Sequence, residues 1–245
     1  MHFKVARVAA KLMHSLAAAV GSKVGKEAEE LCASGQCAAA MVPLKLAVYL
    51  GHLPSRALKA WMLFHGREGV AEDCNGAFEL VEEGARLGCH HCQGVMAWCY
   101  FGGYGCVRDE ERSLELARES SGKGSRYGQY MLGHVYQWGE GIINYAKALA
   151  LYRLAAAQNF DEAQWSLGDM YFLGRGVAED LAEALRLYQL AAAQGHPDAL
   201  YNVAYCHEEG RGVRKNKAEA IRWYRRAQAA GQPDAAAKLH RLGAE

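Results

Sequence analysis

Apolar positions in the second half of the chain recur in helical steps and are interrupted by glycine at fixed places. In the clearest stretch Ala163, Leu167, Gly168 and Tyr171 fall at i, i+4, i+5 and i+8, one face of a 3.6-residue helix. Gly174 and Gly176 end that helix, because glycine takes positive φ at little cost. Val177 is expected to tuck back under the turn, and Asp180 stands where its carboxylate can cap a second helix by accepting backbone N–H groups. That helix carries Ala184, Leu187, Tyr188, Ala191 and Ala192; Gly195 stops it, and Pro197 with Asp198 opens the next unit.

The whole pattern returns 36 residues after Ala163, with Ala199, Val203, Ala204, Gly210, Gly212, Val213, Ala220, Tyr224, Ala227 and Gly231. It is also present upstream, as Leu132, Gly133, Tyr136, Gly139, Gly141, Ile142, Ala148, Tyr152, Ala155 and Ala156, with one residue fewer in the loop and Asn144 in the capping slot. Cys92, Met96, Ala97, Tyr100, Gly103, Gly105 and Asp109 continue the register without a gap. Phe64, Gly69, Val70, Asp73, Ala77, Ala85 and Gly88 fit more loosely, and the 38–49 segment reads as half of a degraded unit. A fixed period in this range marks a stacked helical array, and small residues such as Gly168, Ala192, Ala204 and Ala227 let its helices approach closely.

These residues resemble the Sel-one-like repeat, a relative of the tetratricopeptide repeat. Lys147-Ala148, Trp223-Tyr224, Ala155-Ala156 and Gly174-x-Gly176-Val177 reproduce its pattern nearly letter for letter. The resemblance implies an all-α, right-handed α/α superhelical solenoid of about six to seven antiparallel helix pairs, whose members mostly act as scaffolds and adaptors. The expected divisions are an amphipathic basic cap helix at 1–20, a degenerate repeat at 21–54, repeats at 55–90, 91–126, 127–161, 162–197 and 198–232, and a capping helix at 233–245. One secreted branch of the family carries a disulfide in nearly every repeat and is associated with β-lactam binding. This chain departs from that branch, having no cysteine between Val107 and Tyr205. Cys99 and Cys206 fall in the slot that Val135 and Met170 occupy elsewhere, which reads as buried packing. A reducing, cytoplasmic setting is therefore expected.

A net charge of +1 leaves no global footprint for nucleic acid, and no apolar run reaches spanning length. The first 26 residues are locally different. They hold Lys4, Arg7, Lys11, Lys23 and Lys26 and no acid, and Val5, Val8, Leu12, Leu16 and Val20 share one helical face. A helix covering the open end of the solenoid is the leading reading, with an organelle-targeting (mitochondrial) peptide or an in-plane membrane anchor as alternatives.

Catalytic signatures are missing. There is no Gly-x-Ser-x-Gly and no His-Glu-x-x-His, and each Gly-x-Gly recurs once per repeat as turn chemistry. Cys89-His90-His91-Cys92 is half a zinc site without a second half, so neither a metal nor a cofactor is expected. The candidate surface is instead the groove. In tetratricopeptide units the first helix of each pair lines the concave face. Carried onto this chain, that geometry assigns Trp98, Phe101, Tyr127, Tyr130, His134, Trp165, Asp169, Phe172, Tyr201, Tyr205 and Glu208 to a partner-binding groove. Aromatic residues with a polar handle suit recognition, and packing between repeats is the competing role. Glu162, Asp169, Asp198 and Glu208 would make the groove acidic. The expected partner is a protein or peptide rather than nucleic acid. An RNA-binding or assembly-bracing role for the basic face around Arg211, Arg214, Lys215, Lys217, Arg222, Arg225 and Arg226 is the alternative.

Overall fold

The computed structural model describes residues 2–66, 70–139 and 142–244, with side chains from Lys11 onward. Thirteen α-helices and no strand make up these residues. They pair in chain order as α1 (His2–Ala33) with α2 (Cys37–Tyr49), α3 (Leu53–His65) with α4 (Cys74–Arg86), and α5 (His90–Gly102) with α6 (Glu110–Gly122). Then follow α7 (Arg126–Trp138) with α8 (Tyr145–Ala156), α9 (Asp161–Leu173) with α10 (Leu181–Ala193), and α11 (Pro197–Glu209) with α12 (Lys217–Ala229); α13 (Ala235–Arg241) closes the array. Six pairs and a final helix form the expected α/α solenoid.

Local chemistry sets each boundary. Asp73, Asp109, Asn144, Asp180 and Asn216 cap the second helices by accepting the N–H three residues on, at 2.9–3.2 Å. The first helices of four pairs end on Gly66, Gly103, Gly174 and Gly210, all left-handed. The shorter loop after α7 differs: Gly139 keeps φ −70° and ends the helix in extended backbone. The partner glycines do other work. A Cβ on Gly212 would lie 2.2 Å from the Leu181 carbonyl oxygen, so this loop sits directly on the second helix of the preceding pair. Gly69 and Gly141 lie outside the described residues.

Tyrosines from the second helices fill the core. Tyr152, Tyr188 and Tyr224 are fully or almost fully buried, and the first two lie against Gly133 and Gly168, where a Cβ would come within 3 Å of the ring. Each hydroxyl donates to a first-helix side chain: Tyr152 to Gln137 at 2.7 Å, Tyr224 to Glu208 at 2.6 Å, and Tyr188 to Asp169 at 2.6 Å. Gln137 and Glu208 share one repeat slot. Phe172 occupies that slot in the middle unit, and Tyr188 turns to an acceptor one helical turn earlier.

The N-terminal region departs from expectation. No break follows residue 20; α1 runs unbroken to Ala33 and serves as the first helix of the degenerate unit. The described part of its apolar face does not cover the end of the stack, since Leu12 and Leu16 are 65% and 61% exposed. Gly21 faces Leu50, just past the C-terminal end of α2, so the residues before it run beyond their partner. The side chains of Lys4, Val5, Arg7 and Val8 lie outside the described set. No described helix is long and apolar enough to cross a membrane.

Candidate functional site

The solenoid coils tightly enough to bring distant units together on its inner side. Trp61 of α3 is 5% exposed. Its ring centroid lies within 6 Å of those of His65, Trp98, Tyr127, Tyr130 and Phe160, which come from four successive pairs. Glu162 of α9 is buried between two histidines: His196 Nε2 lies 3.1 Å from one carboxylate oxygen and His65 Nε2 3.5 Å from the other. His196 accepts the Ala199 N–H at Nδ1, so its Nε2–H donates to Glu162.

Besides a cleft of about 400 Å³ on the α1 side of this knot, lined by Trp61, Tyr127 and Phe160, two adjoining clefts open on its α9–α11 side. The first, about 640 Å³, is walled by Trp98, Tyr130, His134, Trp138, Trp165 and His196, with Glu162, Asp169 and Asp198 around it. The second, about 470 Å³, is walled by Trp165, Phe172, Tyr201 and Tyr205 and shares Asp169, Asp198 and Gln232 with the first. Eight of the sequence-derived groove residues therefore meet on one trough. Three do not. Tyr127 is 2% exposed and packs on Trp61 and Phe160, Phe101 stacks beyond Trp98 against His134, and Glu208 is 7% exposed. Glu208 is committed to structure, accepting from Tyr224, Lys238 and Arg241 as α13 closes the array. Tyr130, at 4% exposure, is the most deeply set of the lining aromatic residues kept from the sequence reading.

The electrostatics follow from this placement. Burial raises the Asp169 carboxyl above its usual range, the Tyr188 hydrogen bond opposes that shift, and the charge of Asp198 adds to it. Burial also works against Glu208, but its three donors outweigh it and hold its carboxyl low. Desolvation takes His134 down to about 4, partly offset by Glu162. The Trp165 indole N–H is buried with no hydrogen-bond partner among the described residues.

Trp61, His65, Trp138, Phe160 and His196 were absent from the sequence-derived set. Phe160 and His196 are helix N-caps, a slot filled by Cys89 and Ser125 elsewhere, so no side-chain pattern singles them out. The Cys89–Cys92 cluster is drawn into packing. Both thiols are buried, and Cys92 lies in the gap left by Gly84. The Cys92 thiol and the N–H groups of Cys92 and His91 bond to Cys89 and hold it at about 6 against burial. No group of three His, Cys, Asp or Glu residues among those described is arranged to hold a metal ion. The C-terminal cations Arg211, Arg214, Lys215, Lys217, Arg225 and Arg226 are exposed, while Arg222 pairs with Glu219.

Comparison with known proteins gives one family. The profile described as Sel1 repeat matches residues 55–89, 90–125, 126–160, 161–196 and 197–231. An uncharacterised protein of Neisseria meningitidis serogroup B is 37% identical over 75 residues, 31% of this chain and 16% of that one. A protective antigen of uropathogenic Escherichia coli that displays an SLR fold superposes with a TM-score of 0.58 at 28% identity, over 82% of this chain and 44% of the antigen. The chain thus spans less than half the length of either. A Sel1 repeat protein of Oxalobacter formigenes superposes over 90% of this chain and 93% of its own, with a TM-score of 0.61 at 22% identity.

Proposed function

From the premise that the chain belongs to the Sel1 repeat family, we propose that it is a non-enzymatic adaptor that holds a segment of a partner protein in its inner trough. Proteins of this family are commonly scaffolds for protein interaction. The observation that carries the finer reading is the pair of adjoining clefts sharing Trp165, Asp169 and Asp198. Their walls are half-buried aromatic rings, the residue type that dominates protein recognition energetics. Each cleft has the volume of an ordinary ligand site, and together they make a trough rather than a closed cavity. The exposed arginines of α12 are read as the solvated face of the last full pair.

The test is affinity purification with tagged wild-type protein beside a Trp165→Ala/Tyr201→Ala variant, each shown by circular dichroism to be folded. Partners recovered only by the wild type support the trough. A variant that is folded and keeps every partner sinks it and moves attention to the cationic C-terminal face.

A further inference from the structure

The charge of the trough is one-sided. Glu162, Asp169 and Asp198 line the larger cleft, Asp169 and Asp198 line the smaller, and neither has a lysine or arginine among its described lining residues. Two neighbouring cations are engaged mainly elsewhere, and the charges of His196 and Arg175 reach Asp169, where they pull its carboxyl down against burial and Asp198. Arg175 lies over the rings of Trp138 and Tyr145, and Lys238 bonds Glu208 while lying over Tyr205 and Tyr224. Glu162 is held between its two histidines and lines only the larger cleft; Asp169, whose Oδ1 already accepts from Tyr188 and Asn202, and Asp198 are the acids common to both clefts. Their like charges repel across a partly buried space, an arrangement that a ligand cation would relieve.

Resting on the adaptor reading above, we propose that the occupant is an extended protein segment carrying a lysine or arginine side chain, seated against Trp165 between the carboxylates of Asp169 and Asp198. Aromatic faces attract a cation through their quadrupole, and the attraction grows where water is excluded. Carboxylates accept charge-assisted hydrogen bonds, which a guanidinium can donate in bidentate form. Chain length follows from the trough, because one cationic side chain fills only the shared region. Apolar neighbours in the segment would then lie on Trp98 and Trp138 in one direction and on Phe172, Tyr201 and Tyr205 in the other.

The experiment uses a positional-scanning decapeptide library as probe, applied to the full chain, to Asp169→Asn/Asp198→Asn, to Asp198→Lys and to Trp165→Ala. The proposal expects selection of arginine or lysine at one position. It expects binding of such peptides to weaken by about tenfold in the double Asn variant, the loss of roughly one charge-assisted contact. Asp198 is exposed, so Asp198→Lys leaves the Tyr188–Asp169 hydrogen bond in place and should shift the preference towards glutamate or aspartate. Selection of uncharged residues alone, abolished by Trp165→Ala, would overturn the cationic occupant and leave the trough as the binding site. No selection, or selection untouched by Trp165→Ala, would overturn both.

Discussion

At the residue scale, the packing of this array is decided where a glycine meets a tyrosine. A Cβ on Gly168 would stand 2.7 Å from the Tyr188 ring, and that ring cannot retreat because it is buried and tied to Asp169. Gly168→Ala is therefore expected to cost about 1–3 kcal/mol in urea unfolding, the usual range for overpacking. Gly122→Ala is the matched control: nothing lies within 4 Å of its would-be Cβ, and the substitution should gain up to about 1 kcal/mol from helix propensity. Equal effects at the two sites would refute the close-approach account. A second residue-scale expectation concerns pH. Desolvation holds His91 and His134 at about 4 in the folded chain, against an ordinary value of 6.5. The unfolded chain then binds more protons between those values, so the stability due to their neutral burial is complete above about pH 6.5 and is lost as pH falls towards 4. Melting at pH 7.5 and pH 5.0 should show a smaller loss for His134→Gln than for wild type; identical losses would mean that His134 is solvated.

At the element scale, helices were easier to read from the sequence than their surroundings. The packing slots repeat, and caps such as Asp180 and Asn144 do the job their chemistry implies. The groove was legible in part. Trp98, Trp165, Phe172, Tyr201 and Tyr205 do line the clefts, because their slot on each first helix is fixed by the period. Burial of Tyr127 and Glu208 was not legible, since it depends on curvature accumulated over several units and on a closing helix outside the repeat. The two ends show the same limit in opposite ways. Helix α13 covers Tyr224 and Ala204 with buried Leu239 and supplies Lys238 and Arg241 to Glu208. Deleting residues 233–245 should lower stability by at least about 2 kcal/mol and strip hydrogen-exchange protection from α11 and α12. Deleting residues 2–15 should move the melting temperature by less than about 2 °C, because the described side chains from Lys11 to Leu16 are all exposed. A large loss on that deletion would show that this part of α1 packs on something in solution.

At the scale of the whole molecule, an open solenoid unfolds according to nearest-neighbour contacts, one unit on the next. This one adds contacts that skip units. Trp61 on α3 packs on Phe160 at the start of α9, His65 reaches Glu162, and Arg126 at the start of α7 reaches Glu29 on α1. Such contacts close the inner side of the superhelix and fix the shape of the trough, because the rings that floor it also join its walls. They also make one residue answerable for distant elements. Trp61→Ala removes a ring that touches five others, and a buried aromatic lost this way costs about 3–5 kcal/mol. In a nearest-neighbour array the loss of hydrogen-exchange protection would be confined to α3 and the helices flanking it. Here it should appear together in α3, α7 and the first turn of α9, while α12 and α13, at the far end of the array, stay protected. Protection lost only in α2 to α5 would show that the inner ring cluster carries no coupling. The trough would then be a surface whose two sides move independently, and rigid pre-organisation could not be part of how it holds a partner.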